Sequence, residues 1–222
     1  MNLRNESIGP VIEHAYRNDQ LTGKTQNANF AITPYNENII RIQVSKENKF
    51  EVYPFSVVMD PSPVGVSFDE RPESLILSTS AVTLHIQRSP FRLSFYDSTD
   101  HLINADDPSF GISWLGNKVT NYKQLSADEK FIGLGEKGGG LNRRGSSYDN
   151  WNSDAFGFNN DTDPLYVSTP FFIGIREGRP YGIFFDNTHK THFNFGTSNN
   201  DRFSYFSAEA GDLNYYFIQG EN

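Results

Sequence analysis

From residue 28 onward the chain carries short runs in which apolar and polar residues alternate. Phe30 and Ile32 are followed by Ile40, Ile42 and Val44, with Pro34-Tyr35-Asn36-Glu37-Asn38 between them, and a period of two on either side of turn residues predicts a hairpin. The pattern resumes at residues 75–77, at Val82, Leu84 and Ile86 interleaved with Thr83, His85 and Gln87, and at Phe91, Leu93 and Phe95. Such strands bury one face and wet the other. Asp60-Pro61-Ser62-Pro63, Arg71-Pro72, Ser89-Pro90 and Asp97-Ser98-Thr99-Asp100 read as turns or strand ends. Later strands are expected over 170–176, 181–186, 192–195, 203–208 and 213–218, with turns at Glu177-Gly178 and Asn187-Thr188. Ser126-Ala127-Asp128-Glu129 matches a capping box, but no amphipathic run comes after it. The expectation is an all-β fold, an antiparallel β-sandwich, in one domain spanning 1–222 without repeat or linker.

Residues 131–166 interrupt this order. FIGLGEKGGGLNRRGSSYDNWNSDAFGFNNDTDPLY keeps no apolar period beyond its first residues, and its glycine, asparagine and aspartate argue against a helix or a regular strand. A loop this long in a compact domain is functional or disordered. Leu134, Leu141, Tyr148, Trp151, Phe156, Phe158, Leu165 and Tyr166 supply apolar anchors that a disordered tract lacks, so an ordered, functional loop is expected.

Composition narrows the chemistry. At 222 residues the chain is long enough to bury roughly 70% of its unfolded surface. Its 14% aromatic content favours strands and ligand contact. Nineteen basic against 27 acidic residues give a formal charge of −8, so no attraction to nucleic acid or anionic lipid is expected and a neutral partner fits best. The absence of cysteine excludes disulfides, thiolate catalysis and cysteine metal sites. The first residues form no apolar signal core and no apolar run is long enough to span a membrane; with Met1 as the native start, a cytoplasmic location is expected.

Several local patterns imitate known sites. Gly133-Leu134-Gly135-Glu136-Lys137-Gly138 fits G-x-G-x-x-G, but residues 139–152 cannot propagate the helix that a phosphate site needs, and the glycines are expected to serve positive φ and close backbone approach. Asn159-Asn160-Asp161-Thr162-Asp163 imitates a calcium loop, yet Pro164 stands where glycine is required, and turn capping by Asn and Asp is the expectation. His189 and His192, three apart in a strand-rich segment, should point to opposite faces and form no metal pair. No cofactor is implied. Among the loop carboxylates available for glycoside hydrolysis, Glu136, Asp149 and Asp154, the setting of Glu136 between glycines suggests a buried bridge to backbone amides. Trp151-Asn152-Ser153-Asp154 sets an aromatic face, an amide and a carboxylate together, as a sugar ring requires; capping within the loop is the other reading.

The ordered blocks Gly133-Leu134-Gly135-Glu136-Lys137, Leu141-Asn142-Arg143-Arg144-Gly145, Trp151-Asn152-Ser153-Asp154, Asp163-Pro164-Leu165-Tyr166, Pro170-Phe171, Tyr181-Gly182-Ile183-Phe184-Phe185-Asp186-Asn187 and Gly211-Asp212-Leu213-Asn214-Tyr215-Tyr216-Phe217 resemble the N-terminal β-sandwich domain of glycoside hydrolase family 31. That family contains α-glucosidases, α-xylosidases and related retaining enzymes. The resemblance implies a galactose-mutarotase-like supersandwich packed against a (β/α)8 barrel that would follow residue 222 and carries both catalytic aspartates. It assigns no catalytic residue to this chain. It implies that Asp154 hydrogen-bonds hydroxyls of an α-linked oligosaccharide near the cleavage point, with Trp151 and Asn152 as its neighbours. The expected function is therefore that of an accessory domain of a retaining α-glycosidase, inactive alone; the alternative is a stand-alone carbohydrate-binding module. An epimerase of the same fold needs an acid/base pair that the sequence does not place.

Overall fold

The structure, a computed structural model, describes residues 4–51, 55–62, 65–198 and 200–220. The described residues form strands and no helix. In chain order the strands are β1 (Asn5–Ser7), β2 (Val11–Arg17), β3 (Gln20–Thr25), β4 (Asn29–Pro34), β5 (Ile39–Ser45), β6 (Ser67–Glu70), β7 (Ser74–Ser78), β8 (Val82–Arg88), β9 (Phe91–Asp97) and β10 (Leu102–Ala105). They continue with β11 (Ile112–Leu115), β12 (Lys118–Gln124), β13 (Lys130–Gly135), β14 (Ser147–Asn150), β15 (Ser168–Arg176), β16 (Arg179–Phe185), β17 (Thr191–Asn194), β18 (Phe203–Ala208) and β19 (Leu213–Gln219).

Three antiparallel sheets result: β13-β15-β16-β19-β5-β4-β3-β2, β10-β9-β8-β7-β6 and β1-β11-β12-β18-β17-β14. The eight-stranded sheet forms one layer against both of the others. Phe95 of β9 stacks on Phe217 of β19 with centroids 4.1 Å apart, and Phe206 of β18 meets Tyr215 of β19 at 5.3 Å. The second layer is joined across its seam by a bridge between Asp106 and Lys123. This is an all-β sandwich whose second layer is split into two sheets.

The expected hairpin is β4 and β5, with Ile32 opposite Ile42 and Phe30 opposite Val44. In β8, Val82, Leu84 and Ile86 are buried while Thr83, His85 and Gln87 alternate with them. Strands where alternation is weak lie beyond what the pattern predicted. Edge strand β2 buries no residue fully, so selection for an apolar face is slight there. Strand β12 buries Thr120, Asn121 and Lys123 at the seam, which hides it from any hydrophobic pattern.

Of two further expectations, the first is met and the second needs correction. Residues 126–129 form a turn rather than a helix start: the Ser126 amide donates to the Glu129 carboxylate at 2.9 Å, as a capping box requires, but the chain enters β13. Burial pushes the Glu129 carboxyl up, and the Tyr181 hydroxyl donates to it at 2.6 Å. The loop, expected to hold no regular strand, contains β14, which pairs with β17 from Ser147 opposite Asn194 to Asn150 opposite Thr191. Pairing rather than an apolar period makes this polar four-residue segment a strand. Pro63, part of an expected turn, lies outside the described residues.

Candidate functional site

The loop is ordered by charges turned inward. Lys137, whose side chain is fully buried, donates from Nζ to the Asp149 carbonyl at 2.5 Å and to Asp163 Oδ1 at 2.8 Å. Asp163 Oδ2 in turn accepts from the Asp149 amide at 2.5 Å. Arg143, also buried, donates from Nη1 to the carbonyls of Gly138 and Gly140 at 2.8 and 2.9 Å and lies over the Tyr148 ring. Two long cations thus satisfy backbone carbonyls of the loop, that of Asp149 in β14 among them. Gly138 permits this closure, since a Cβ there would sit 2.1 Å from the Asn160 carbonyl oxygen. At the bulge in β13, Leu134 takes a positive φ of 72° and fills the core, so burial offsets local strain.

The expected roles of the carboxylates separate. Glu136 is exposed and bridges no amide among the described residues; the residue that bridges from that stretch is Lys137, because its longer stem reaches the interior. Asp149 faces out of the six-stranded sheet, with Lys190 Nζ at 2.6 Å and His192 Nδ1 at 2.6 Å. Partial burial raises its carboxyl, but hydrogen bonds from Lys190 and His192 outweigh this and hold it below the usual range. Asp154 is exposed and makes no side-chain hydrogen bond to any described residue. The segment at 159–162 is a capped turn, with Asn159 Oδ1 accepting from the Asp161 amide at 2.8 Å.

Around Trp151 the loop meets a cleft of about 330 Å³. Asn150, Trp151 and Asn152 form one wall, Ser168 and Pro170 of β15 another, and His189 belongs to the segment that carries the chain from the eight-stranded to the six-stranded sheet. Trp151 is 52% exposed. Asn152 is partly structural: its Oδ1 accepts from the Ser168 amide at 2.8 Å. Trp151 and Asn152 therefore line one cleft, while Asp154 is not among the residues lining it. His189 lines this cleft, and His192 a separate one beside Asp149. No group of three metal-binding side chains occurs among the described residues.

Asn150 and Ser168 were not singled out by the sequence, and His189 only as half of a rejected metal pair. Asn150 stands next to Trp151, but its inward direction comes from the pairing of β14 with β17, which no local pattern announces.

Comparison with known proteins places this architecture. Alpha-glucosidase 2 of Bacillus thermoamyloliquefaciens is 36% identical over 188 residues, 84% of this chain and 24% of the relative. Alpha-xylosidase XylQ of Lactiplantibacillus pentosus is 29% identical over 220 residues, 96% of this chain and 27% of the relative. A GH31 dextranase of Flavobacterium johnsoniae, solved in complex with isomaltotriose, superposes with a TM-score of 0.89 at 32% identity over 98% of this chain and 27% of its own. The chain thus spans about a quarter of the length of these relatives. The family described as the glycosyl hydrolase 31 N-terminal galactose mutarotase-like domain matches residues 29–194, and the chain belongs to that family.

Proposed function

We propose that this chain is the N-terminal accessory domain of a retaining α-glycosidase, with an α-glucosidase as the leading choice, and that it supplies substrate contacts but no catalytic carboxylate. The observation that carries the reading is the contrast within one loop. Lys137 and Arg143 pin its backbone from below, while Asp154 is left unpaired among the described residues and Leu141, Trp151, Phe156, Phe158 and Val167 stand exposed above. An ordered loop that holds bare aromatic side chains and a free carboxylate is prepared for contact.

In this reading Asp154 accepts hydrogen bonds from hydroxyls of an α-linked oligosaccharide near the cleavage point, with Trp151 and Asn152 beside it. The exposed apolar side chains pack on a (β/α)8 barrel belonging to the same polypeptide, which brings the catalytic aspartates. Support comes from the α-glucosidase and α-xylosidase names of the relatives and the isomaltotriose complex of the dextranase. Alone, the domain hydrolyses nothing.

Asp154→Ala in the barrel-containing enzyme is expected to lower kcat/KM by roughly 1–3 kcal/mol of transition-state stabilisation, as loss of a charge-assisted hydrogen bond would. Unchanged kcat/KM on every accepted substrate would remove Asp154 from the site. A stand-alone carbohydrate-binding module is the second reading, favoured by the cleft beside Trp151. The coding sequence downstream of Asn222 separates the two, since the module reading requires that no barrel follow.

A further inference from the structure

The cleft beside Trp151 contains a feature that contact by Asp154 leaves unexplained. Asn150 is 5% exposed, and neither Oδ1 nor Nδ2 of its amide meets a hydrogen-bond partner among the described residues. Ser168 Oγ, on the facing wall, is likewise buried and unpartnered. Neighbouring amides are engaged: Asn152 Oδ1 accepts from the Ser168 amide, Asn187 Oδ1 from the His189 amide at 2.8 Å, and Asn194 Oδ1 from the Gly196 amide at 3.1 Å. A buried amide whose bonding capacity the protein does not use carries a desolvation penalty that a ligand can relieve.

We propose that this recess is a separate subsite for one neutral sugar ring, distinct from the Asp154 contact. The proposal rests on the reading of the chain as an oligosaccharide-handling domain. Among the described residues no lysine, arginine, aspartate or glutamate lines the recess, and His189 is the one ionisable side chain in its lining, so no permanent charge is there to balance a charged ligand and a neutral one fits best. A sugar hydroxyl both donates and accepts, and the Asn150 amide offers an acceptor and two donors while Ser168 Oγ offers both functions. Because the fold has already buried those atoms, a hydroxyl that reaches them gains bonds without a further cost of burying protein polarity.

Shape agrees with chemistry. Trp151 provides a flat apolar face at the rim, suited to the C–H side of a pyranose, and a volume of about 330 Å³ is at the small end for ligand clefts. The walls are fixed: the Asn152–Ser168 bond ties the loop to β15, and pairing of Asn150 with Thr191 ties β14 to β17. The Asn150 amide and Ser168 Oγ are closed off from solvent, so binding requires side chains around the recess to shift.

Tryptophan fluorescence of the 222-residue chain tests the assignment, because the chain has two tryptophans and Trp114 is buried. Titration with glucose, maltose and isomaltose is expected to give a saturable change for at least one sugar, with Kd in the region of about 1 mM. Asn150→Ala and Ser168→Ala should each weaken binding about fivefold or more, the effect of one lost hydrogen bond. Glu136→Ala, at an exposed carboxylate that does not line the recess, should leave it unchanged. Ser168→Ala removes a single oxygen, so it decides the matter if the Asn150 variant fails to fold. A non-saturating signal for all three sugars, wild-type affinity in Ser168→Ala, or loss of binding in Glu136→Ala would overturn the subsite. None of those results bears on turnover by the Asp154 variant of the longer enzyme, so the two readings fail independently.

Discussion

At the seam between the five- and six-stranded sheets, the Asp106 carboxylate accepts from Asn121 Nδ2 at 2.9 Å, from Lys123 Nζ at 2.8 Å and from the Leu93 amide at 2.9 Å. Lys123 Nζ also reaches the Tyr215 hydroxyl at 3.2 Å, which ties the seam to the eight-stranded sheet. At the rim of the cleft, Asn150 and Ser168 bury polar atoms with no such company. Both places put polarity inside a β-sandwich, yet the first spends it on joining sheets and the second leaves it available. The Asp106 charge ringed by donors is architecture; Asn121 Oδ1 at the same seam also lacks a partner, but Asn121 is held through Nδ2, whereas neither amide atom of Asn150 is engaged and Asn150 lines a cleft.

The largest effect that bears on this contrast is at the seam. Asp106→Ala leaves Lys123 buried and uncompensated, and burial already pushes that ammonium's pKa down. Denaturant unfolding is expected to show a loss of about 3–5 kcal/mol. A loss below about 1 kcal/mol would mean that the seam is no more structural than the rim.

Acid gives the next effect. Asp97, buried at the end of β9, accepts from the Thr99 amide and hydroxyl and the His101 amide, and pairs with Arg179 of β16 at 3.0 Å. Burial raises its carboxyl, but these hydrogen bonds win and bring it from 3.8 down to about 2. A group depressed in the folded state stabilises above its unfolded pKa and loses that contribution as pH falls through the folded value. Roughly 2 kcal/mol should therefore disappear between about pH 4 and pH 2. Asp97→Asn should flatten that part of the urea-midpoint profile; an unaltered profile would assign the acid sensitivity elsewhere.

The smallest expected effect is also the most discriminating. Asn150→Ala should change stability by less than about 1 kcal/mol, because removing an unpartnered amide relieves a desolvation cost that offsets the lost packing. A loss of several kcal/mol would show that Asn150 is held by interactions like those of Asp106.

Much of the fold was legible from the alternation of side chains. The hairpin of β4 and β5, the run through β7, β8 and β9, and the five later strands arise from apolar residues spaced by two, since each has one face on the core. Strands β2, β12 and β14 were not legible: an edge, a polar seam and a four-residue segment do not need apolar periodicity. The site divides in the same way. Trp151, Asn152 and Asp154 were visible as a run of residue types, and the structure brings the first two to one cleft with Asp154 outside its lining.

The all-β class, the order of the loop and the family were thus written in the chain, because they depend on local periodicity, turn chemistry and ordered blocks of residues. Which polar residues became architecture and which stayed free was settled only on folding. Asp149 was drawn to Lys190 and His192, Lys137 went under the loop, and Asn150 was turned into a buried recess. These outcomes rest on contacts between distant parts of the chain, such as β14 with β17 and Lys137 with Asp163, and a side chain's type does not reveal its partner across a sheet.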